Sequence, residues 1–316
     1  MPKSRVSHLF AVLSLAGIAF IWAGGFPATK YCLQAGLSVG ALLTIRFAIG
    51  AAGLGLMLLL LGVRIRRQDA LDGLWLGLVL ATLFWLQTDG LRFTTTSKSG
   101  FITGLYVIFT PMVALLIGDR LRPSHGLGAL VALAGLALLV REPGMAWGGW
   151  NRGDSETLLA AVLCGFHIVM TSHFSRRSSS WVLAFIQVVV TGAVSLVITL
   201  ALPSPHGFQG SGPALAKAGT WVSLAFMGIL ATSLAFYVQS TMQSRLGATE
   251  SGIIMSMEPV WTALIAISGF VPGIREHLNP IQFLGGLLIL VATLVTELGP
   301  RLLRRLAPIE AEETVG

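Results

Sequence analysis

The sequence predicts an all-α integral membrane protein with ten transmembrane helices arranged as two inverted five-helix repeats. Three observations carry that fold class. Apolar residues make up 54% of the chain and charged residues only 11%, against roughly 25% charged in an ordinary soluble domain. Ten apolar segments approach the length of about 20 residues that a helix needs to cross the hydrocarbon core. The frame "TGLYVIFTP" at 103–111 recurs in outline as "SGIIMSMEP" at 251–259.

The mean hydropathy is +0.79. So much apolar surface cannot be kept from water by a chain of this length, so lipid is its main solvent. In a soluble protein a net charge of +7 would point to nucleic acid. Here the basic residues cluster in short loops, which is the pattern of membrane topology, and no nucleic-acid partner is expected. The two cysteines, Cys32 and Cys164, lie in or beside apolar runs with no paired spacing, so neither a disulfide nor a metal framework is expected.

Taken in order, the spans fall near 9–28, 39–61, 71–91, 96–117, 125–141, 156–174, 181–202, 218–240, 249–270 and 279–298. The first follows Lys3 and Arg5 like a signal peptide. It is longer than a usual signal core, lacks a small-residue cleavage site, and ends in "WAGGFPATK", which reads as a helix interior with a proline break. The second holds Arg46, the one basic residue well inside a span. The third ends in "FWLQTDGLRF". Spans 4 and 9 carry the repeated frame, and spans 5 and 10 echo each other as "GLGALVALAGLALLV" and "FLGGLLILVATLVTEL". Glycine and proline inside these runs are tolerated where neighbouring helices satisfy the backbone. The longest connections, 142–155 and 203–217, are rich in Gly, Pro and Ser.

With the N-terminus inside, the inner side carries 13 basic residues: Lys3, Arg5, Arg64, Arg66, Arg67, Arg120, Arg122, Arg176, Arg177, Arg245, Arg301, Arg304 and Arg305. The outer side carries 7: Lys30, Arg92, Lys98, Arg141, Arg152, Lys217 and Arg275. Both termini are therefore expected in the cytoplasm. The period of the repeat is five helices. Because five is odd, two like-folded halves must face opposite ways across the membrane, which is the plan of many secondary transporters.

The ordered set of motifs resembles the EamA-type transporters of the drug/metabolite transporter superfamily. The matches are "IWAGGFPATK", "LTIRFAIGAAGL" and "TGLYVIFTPMVALLIGDRLRPSHGLGALVALAGLALLV" in the first half. In the second they are "SGIIMSMEPVWTALIAISGF" and "FLGGLLILVATLV". The family's "GE.L" is "GDRL" at 118–121 here and is displaced into "PGIREHL" at 272–278, and span 6 lacks the Trp-Gly-Pro pattern of span 1, so the halves have diverged. The resemblance implies one repeat over 9–141 and a second over 156–298; the residues at 299–316, a basic stop followed by an acidic stretch, are expected to form a disordered cytoplasmic tail. The resemblance also implies export or exchange of small metabolites across a bacterial plasma (inner) membrane, as a monomer or homodimer.

Among candidate residues Glu258 is the sharpest. It lies about nine residues into span 9, roughly 13 Å deep at 1.5 Å per residue. A carboxylate at that depth is protonated, paired or facing water, which makes it the candidate proton-coupling group; pairing with a neighbouring helix is the competing reading. Asp89 is explained by a local pair with Arg92. Arg46 is expected to snorkel or to pair with another helix rather than bind an anion. His167 is a candidate proton group or cavity donor. With Cys164 and His173 it forms a poor zinc spacing, so no metal is expected. Gln187 and Gln239 serve as glue between helices. The resemblance assigns the cavity to spans 1, 3, 4, 6, 8 and 9. Its candidate substrate-binding residues are then Trp22, Trp85, Gln87, Tyr106, His167, Tyr237, Glu258 and Trp261.

No P-loop is present, so ATP does not drive the chain, and no enzyme signature or cofactor site is found. The reading is a secondary active transporter working by alternating access, with an aromatic, weakly charged cavity suited to amino acids or amphipathic and aromatic compounds, and a proton as the candidate coupled ion. A lipid or polyprenyl-linked flippase is the alternative, and a membrane sensor or scaffold is a more distant one.

Overall fold

The computed structural model describes residues 2–117, 123–139, 141, 149–203, 206–246 and 248–306. The "GDRL" segment with Arg120 and Arg122, residues 142–148 of the long loop, and the tail beyond 306 lie outside the described residues. Every regular element among the described residues is helical. Among the described residues six helices are long and apolar enough to cross a membrane. They are α1 (Pro2–Gln34), α2 (Val39–Leu61), α3 (Arg67–Gly90), α7 (Arg152–Phe174), α8 (Ser180–Ala201) and the stretch Ala218–Leu246.

The expected spans 4 and 9 are each two short helices rather than one. Span 4 is α4 (Thr96–Thr103) and α5 (Tyr106–Ala114), with a 3₁₀ turn at Leu115–Ile117. Span 9 is α12 (Ala248–Met255) and α13 (Glu258–Ser268). Spans 5 and 10 appear as α6 (Pro123–Leu139) and α14 (Pro280–Leu306). The 203–217 connection contains a single helical turn, α9 (Gly212–Leu215). The stretch 218–246 is also not uniform. It runs as α10 (Ala218–Ala225), a π-helix over Phe226–Leu234, and α11 (Ala235–Leu246).

Local chemistry explains the ends. The Ser38 side chain caps α2 by accepting from Ala41 N–H, and Gly62 closes the helix in the left-handed region, with φ of 61°. Asn151 and Asp154 form a reciprocal capping box at the start of α7, the arrangement that satisfies two otherwise orphaned N–H donors. The amides of Thr96 and Ser97, at the start of α4, donate to the Glu276 carboxylate at 2.5 and 2.8 Å.

The helices pack where side chains are small. Lipid gives helix association little hydrophobic drive, so close van der Waals approach decides it. Helices α6 and α14 pair through Gly135 and Gly285: a Cβ on Gly135 would lie 2.7 Å from the Gly285 carbonyl, and one on Gly285 would meet the backbone of Leu139. Helix α3 lies against α7 and α8, α2 against α8 and the π-helix, and α1 against α10 through α13. Outward-facing Leu130, Leu133, Phe283 and Leu287 stay exposed, as side chains meeting acyl chains should.

The α6–α14 contact yields a direct test. Gly285→Val forces its side chain into backbone atoms, and overpacking of this kind costs about 1–3 kcal/mol. Thermal unfolding in detergent should show a clear drop for that variant. Gly126→Val, where a Cβ meets nothing within 4 Å, should leave the transition in place; equal effects would exclude the glycine contact as the determinant.

Candidate functional site

The two helix breaks meet each other. The first lies at Gly104–Leu105 and the second at Ser256–Met257. A Cβ on Gly104 would sit 2.5 Å from the Pro259 ring, and one on Gly100 would sit 2.7 Å from Thr262. The absence of side chains at Gly100 and Gly104 is therefore what allows α13 to lie against α4. The breaks do not fall at equivalent points of the repeated frame. Pro111 sits inside α5, while Pro259 stands in the first turn of α13, immediately after Glu258. Proline fits there because first-turn N–H groups have no intrahelical acceptor, and a carboxyl is favoured at the same end by the helix dipole. Thr110, the counterpart of Glu258, is buried and donates to the Tyr106 carbonyl at 2.7 Å.

A cavity of about 80 Å³ opens beside these breaks. Its walls come from α1, α3, α4, α5, α7, α11, α12 and α13, and α2 contributes Arg46. Trp22, Gln87, Tyr106, His167 and Glu258 line it together. Trp85, Tyr237 and Trp261 do not. Trp85 packs beside His206, with ring centroids 6.0 Å apart. Tyr237 stacks on Trp181 at 3.7 Å. Trp261 meets the edge of Phe20 at 5.4 Å. All three are taken up by neighbouring rings, a competition that residue type and depth do not reveal.

The polar groups of the cavity are held by neighbours. Trp22 Nε1 donates to the Ala231 carbonyl at 2.9 Å, inside the π-helix. Gln87 Nε2 donates to Thr103 Oγ1 at 3.2 Å. His167 Nε2 and Gln187 Oε1 are 2.8 Å apart. Two buried polar atoms, Tyr106 OH and Gln239 Oε1, have no hydrogen-bond partner among the described residues. The Glu258 side chain, 8% exposed, forms no ion pair among the described residues. A volume near 80 Å³ admits a few water molecules and falls well below the roughly 300–1,000 Å³ of pockets that enclose drug-sized ligands. The state is therefore a narrow one.

Arg46 does not snorkel. Only 4% exposed, it donates from Nε to Thr232 Oγ1 at 3.1 Å, and its guanidinium lies 4.5 Å from the Phe84 ring centre. Its presence on the cavity wall was signalled in the sequence only by its being a lone basic residue deep in an apolar run. Phe84, Phe236 and Thr29, also on the wall, carried no such signal.

Ionic contacts close the two ends of the bundle. At one end Lys98 Nζ meets Asp154 Oδ2 at 2.7 Å with both side chains buried, and also donates to the Gly149 carbonyl. Asp89 pairs with Arg92, as its i, i+3 spacing suggests, and also with Arg152, both at 2.7 Å. Lys30 donates to the carbonyls of Leu91 and Thr94. At the opposite end Arg177 grips Asp72 with two nitrogens, at 2.6 and 2.9 Å. Its hydrogen bonds to that carboxylate raise the guanidinium pKa above its ordinary value.

Apolar spanning helices around a largely apolar cavity that holds a few polar groups define a multi-pass membrane protein with an internal site. The chain belongs to the EamA-like transporter family, which matches residues 9–141 and 151–298. It is 31% identical over 294 residues to a protein of Archaeoglobus fulgidus described as an uncharacterized transporter, covering 93% of this chain and 87% of that one. Over 190 residues it is 25% identical to the aromatic amino acid exporter YddG of Ancylobacter novellus, covering 58% of this chain and 62% of that protein. A solved crystal structure shares the fold at a TM-score of 0.67 with 22% identity, covering 95% of this chain and 98% of its own.

The buried Lys98–Asp154 pair gives the second test. Removing one partner of a buried pair strands the other charge and costs about 3–5 kcal/mol, so Lys98→Met should unfold well below the wild type in detergent. Lys217→Met, at an exposed position, should stay within about 0.5 kcal/mol. Similar losses for the two variants would contradict the buried-pair account.

Proposed function

We propose that the protein is a secondary active transporter of small metabolites, such as amino acids or amphipathic and aromatic compounds, working by alternating access. The observation that carries the reading is a carboxyl with no ion-pair partner among the described residues, in a cavity beside the meeting point of both broken helices. Broken helices are tolerated at membrane depth only where protein or a cavity satisfies the freed backbone groups, and in transporters such breaks surround the substrate site. The named activity of the Ancylobacter relative, export of aromatic amino acids, agrees with a wall built from Trp22, Phe26, Phe84, Tyr106 and Phe236.

Ten spans in two inverted halves fit this proposal. The family matches the chain twice, and the repeated frames each contain or adjoin a break. Trp22, Gln87, Tyr106, His167 and Glu258 are the proposed substrate contacts. Because the cavity is narrow, transport needs a wider state, reached as the halves rock about it. The bacterial inner membrane, with both termini cytoplasmic, is the proposed location.

Glu258 is the proposed proton carrier. Ionised, it is costly to keep at the start of α13 away from water; protonated, it is cheap. A conformational change that alters its hydration therefore links protonation to the state of the transporter. Glu258→Gln keeps shape and hydrogen bonding but cannot titrate. In proteoliposomes it should still exchange labelled substrate while losing net transport driven by a pH gradient. Undiminished pH-driven transport in this variant would reject the coupling role.

Orientation is tested separately. In a cysteine-free background, Gln209→Cys should react with an impermeant thiol reagent in intact cells and Arg176→Cys should not; both positions are exposed. The reverse labelling would invert the topology.

A further inference from the structure

We infer that Arg46 is an anion subsite of the cavity, taking the carboxylate of a substrate whose apolar or aromatic body lies against the surrounding rings. The inference rests on the transport reading above and narrows its substrate class.

Four features support it. Arg46 is 4% exposed and lines the same cavity as Glu258. It lies seven residues beyond the first residue of α2, about 10 Å along the helix at 1.5 Å per residue, too far in for a cation to be held there without cause. No carboxylate pairs with it among the described residues. Finally, a guanidinium carries five N–H donors, and only the Nε–H finds an acceptor there, at Thr232 Oγ1. The four donors on the two terminal nitrogens have no hydrogen-bond acceptor among the described residues.

The group is also held in place. The Phe84 ring centre lies 4.5 Å from the guanidinium carbon and the Phe47 ring centre 5.5 Å. Thr232 belongs to the π-helix, which packs closely on α2: a Cβ on Gly50 would sit 2.6 Å from Thr232 Cγ2. Ring contact and the Nε bond together fix the plane while leaving the terminal nitrogens unused. A planar fork so oriented suits a carboxylate, which accepts two parallel N–H bonds. A residue serving only to join α2 to the π-helix needs one donor and no charge. Across the same cavity stand an acid, Glu258, and the unsatisfied Tyr106 hydroxyl and Gln239 oxygen. This set complements an acid or a zwitterion and repels a simple amine from the Arg46 side.

The test compares ligands that differ only at the carboxyl. The purified full chain in nanodiscs is titrated with L-phenylalanine, L-leucine and 3-phenylpropanoate, and with L-phenylalaninamide and L-leucinamide. Binding is read from tryptophan fluorescence and thermal shift; transport of the same probes is measured in proteoliposomes. The acids should bind and the amides should bind at least about tenfold more weakly, the loss expected for a charge-assisted pair. Arg46→Gln should remove that preference and Arg46→Lys should restore part of it. Amides that bind or move as well as the acids overturn the Arg46 assignment while leaving the transport reading intact. So does an Arg46→Gln protein with undiminished affinity for the acids. If neither acids nor amides bind or move, the assignment and the reading beneath it both fail. Should Arg46→Gln not fold, the acid–amide comparison on the wild type decides alone.

Discussion

Lipid offers no hydrogen bonds, and most of this structure follows from that. Each backbone N–H and C=O at membrane depth must find a partner within the protein, which is why the spans are helices and why an interruption needs shelter. The interruptions at 104–105 and 256–257 have it. Gly104, Leu105 and Ser256 are buried, and the two breaks press against each other through Gly104 and Pro259. Their backbone groups bond within their own segments, as Gly104 N–H to the Gly100 carbonyl and Ser256 N–H to the Gly252 carbonyl, so the contact between the breaks is one of close packing.

The same constraint organises the helix ends. The start of α4 is satisfied by Glu276, from a loop 180 residues away in sequence. The carbonyls after α3 are satisfied by Lys30 of α1. Asp154 serves its own capping box and also binds Lys98 and Thr94. Helix termination and tertiary contact are thus the same bonds, so one end of the bundle is tied by residues drawn from both halves of the chain.

The two copies of the repeated frame are put to different uses. In the first, a glycine opens the break and the proline lies further along α5. In the second, the break falls directly before Glu258–Pro259, and the carboxyl opens a new helix on the cavity wall. Thr110 satisfies its hydroxyl on its own helix and stays out of the cavity lining, whereas the Glu258 side chain has no ion-pair partner among the described residues. A duplicated scaffold therefore supplies an unequal pair of groups.

The membrane class, the main spans and the repeated frame were legible in the sequence. Lipid selects for long apolar runs and for glycine at close contacts, and both are written locally. The Asp89–Arg92 pair was legible too, since i, i+3 spacing alone brings those groups together. Which aromatic residues face the cavity was not. Trp22 and Trp85 are alike in type and setting, yet one reaches the π-helix carbonyl on the cavity wall and the other packs beside His206. The environment of Arg46 was equally hidden, because Thr232 and Phe84 approach it from 186 and 38 residues away. Sequence determined the membrane class and the long apolar segments; it did not give the break in span 4, which falls at 104–105 while Pro111 lies inside α5. Tertiary packing decided which polar side chains were left without partners, because that depends on what neighbouring helices offer and no local pattern encodes it.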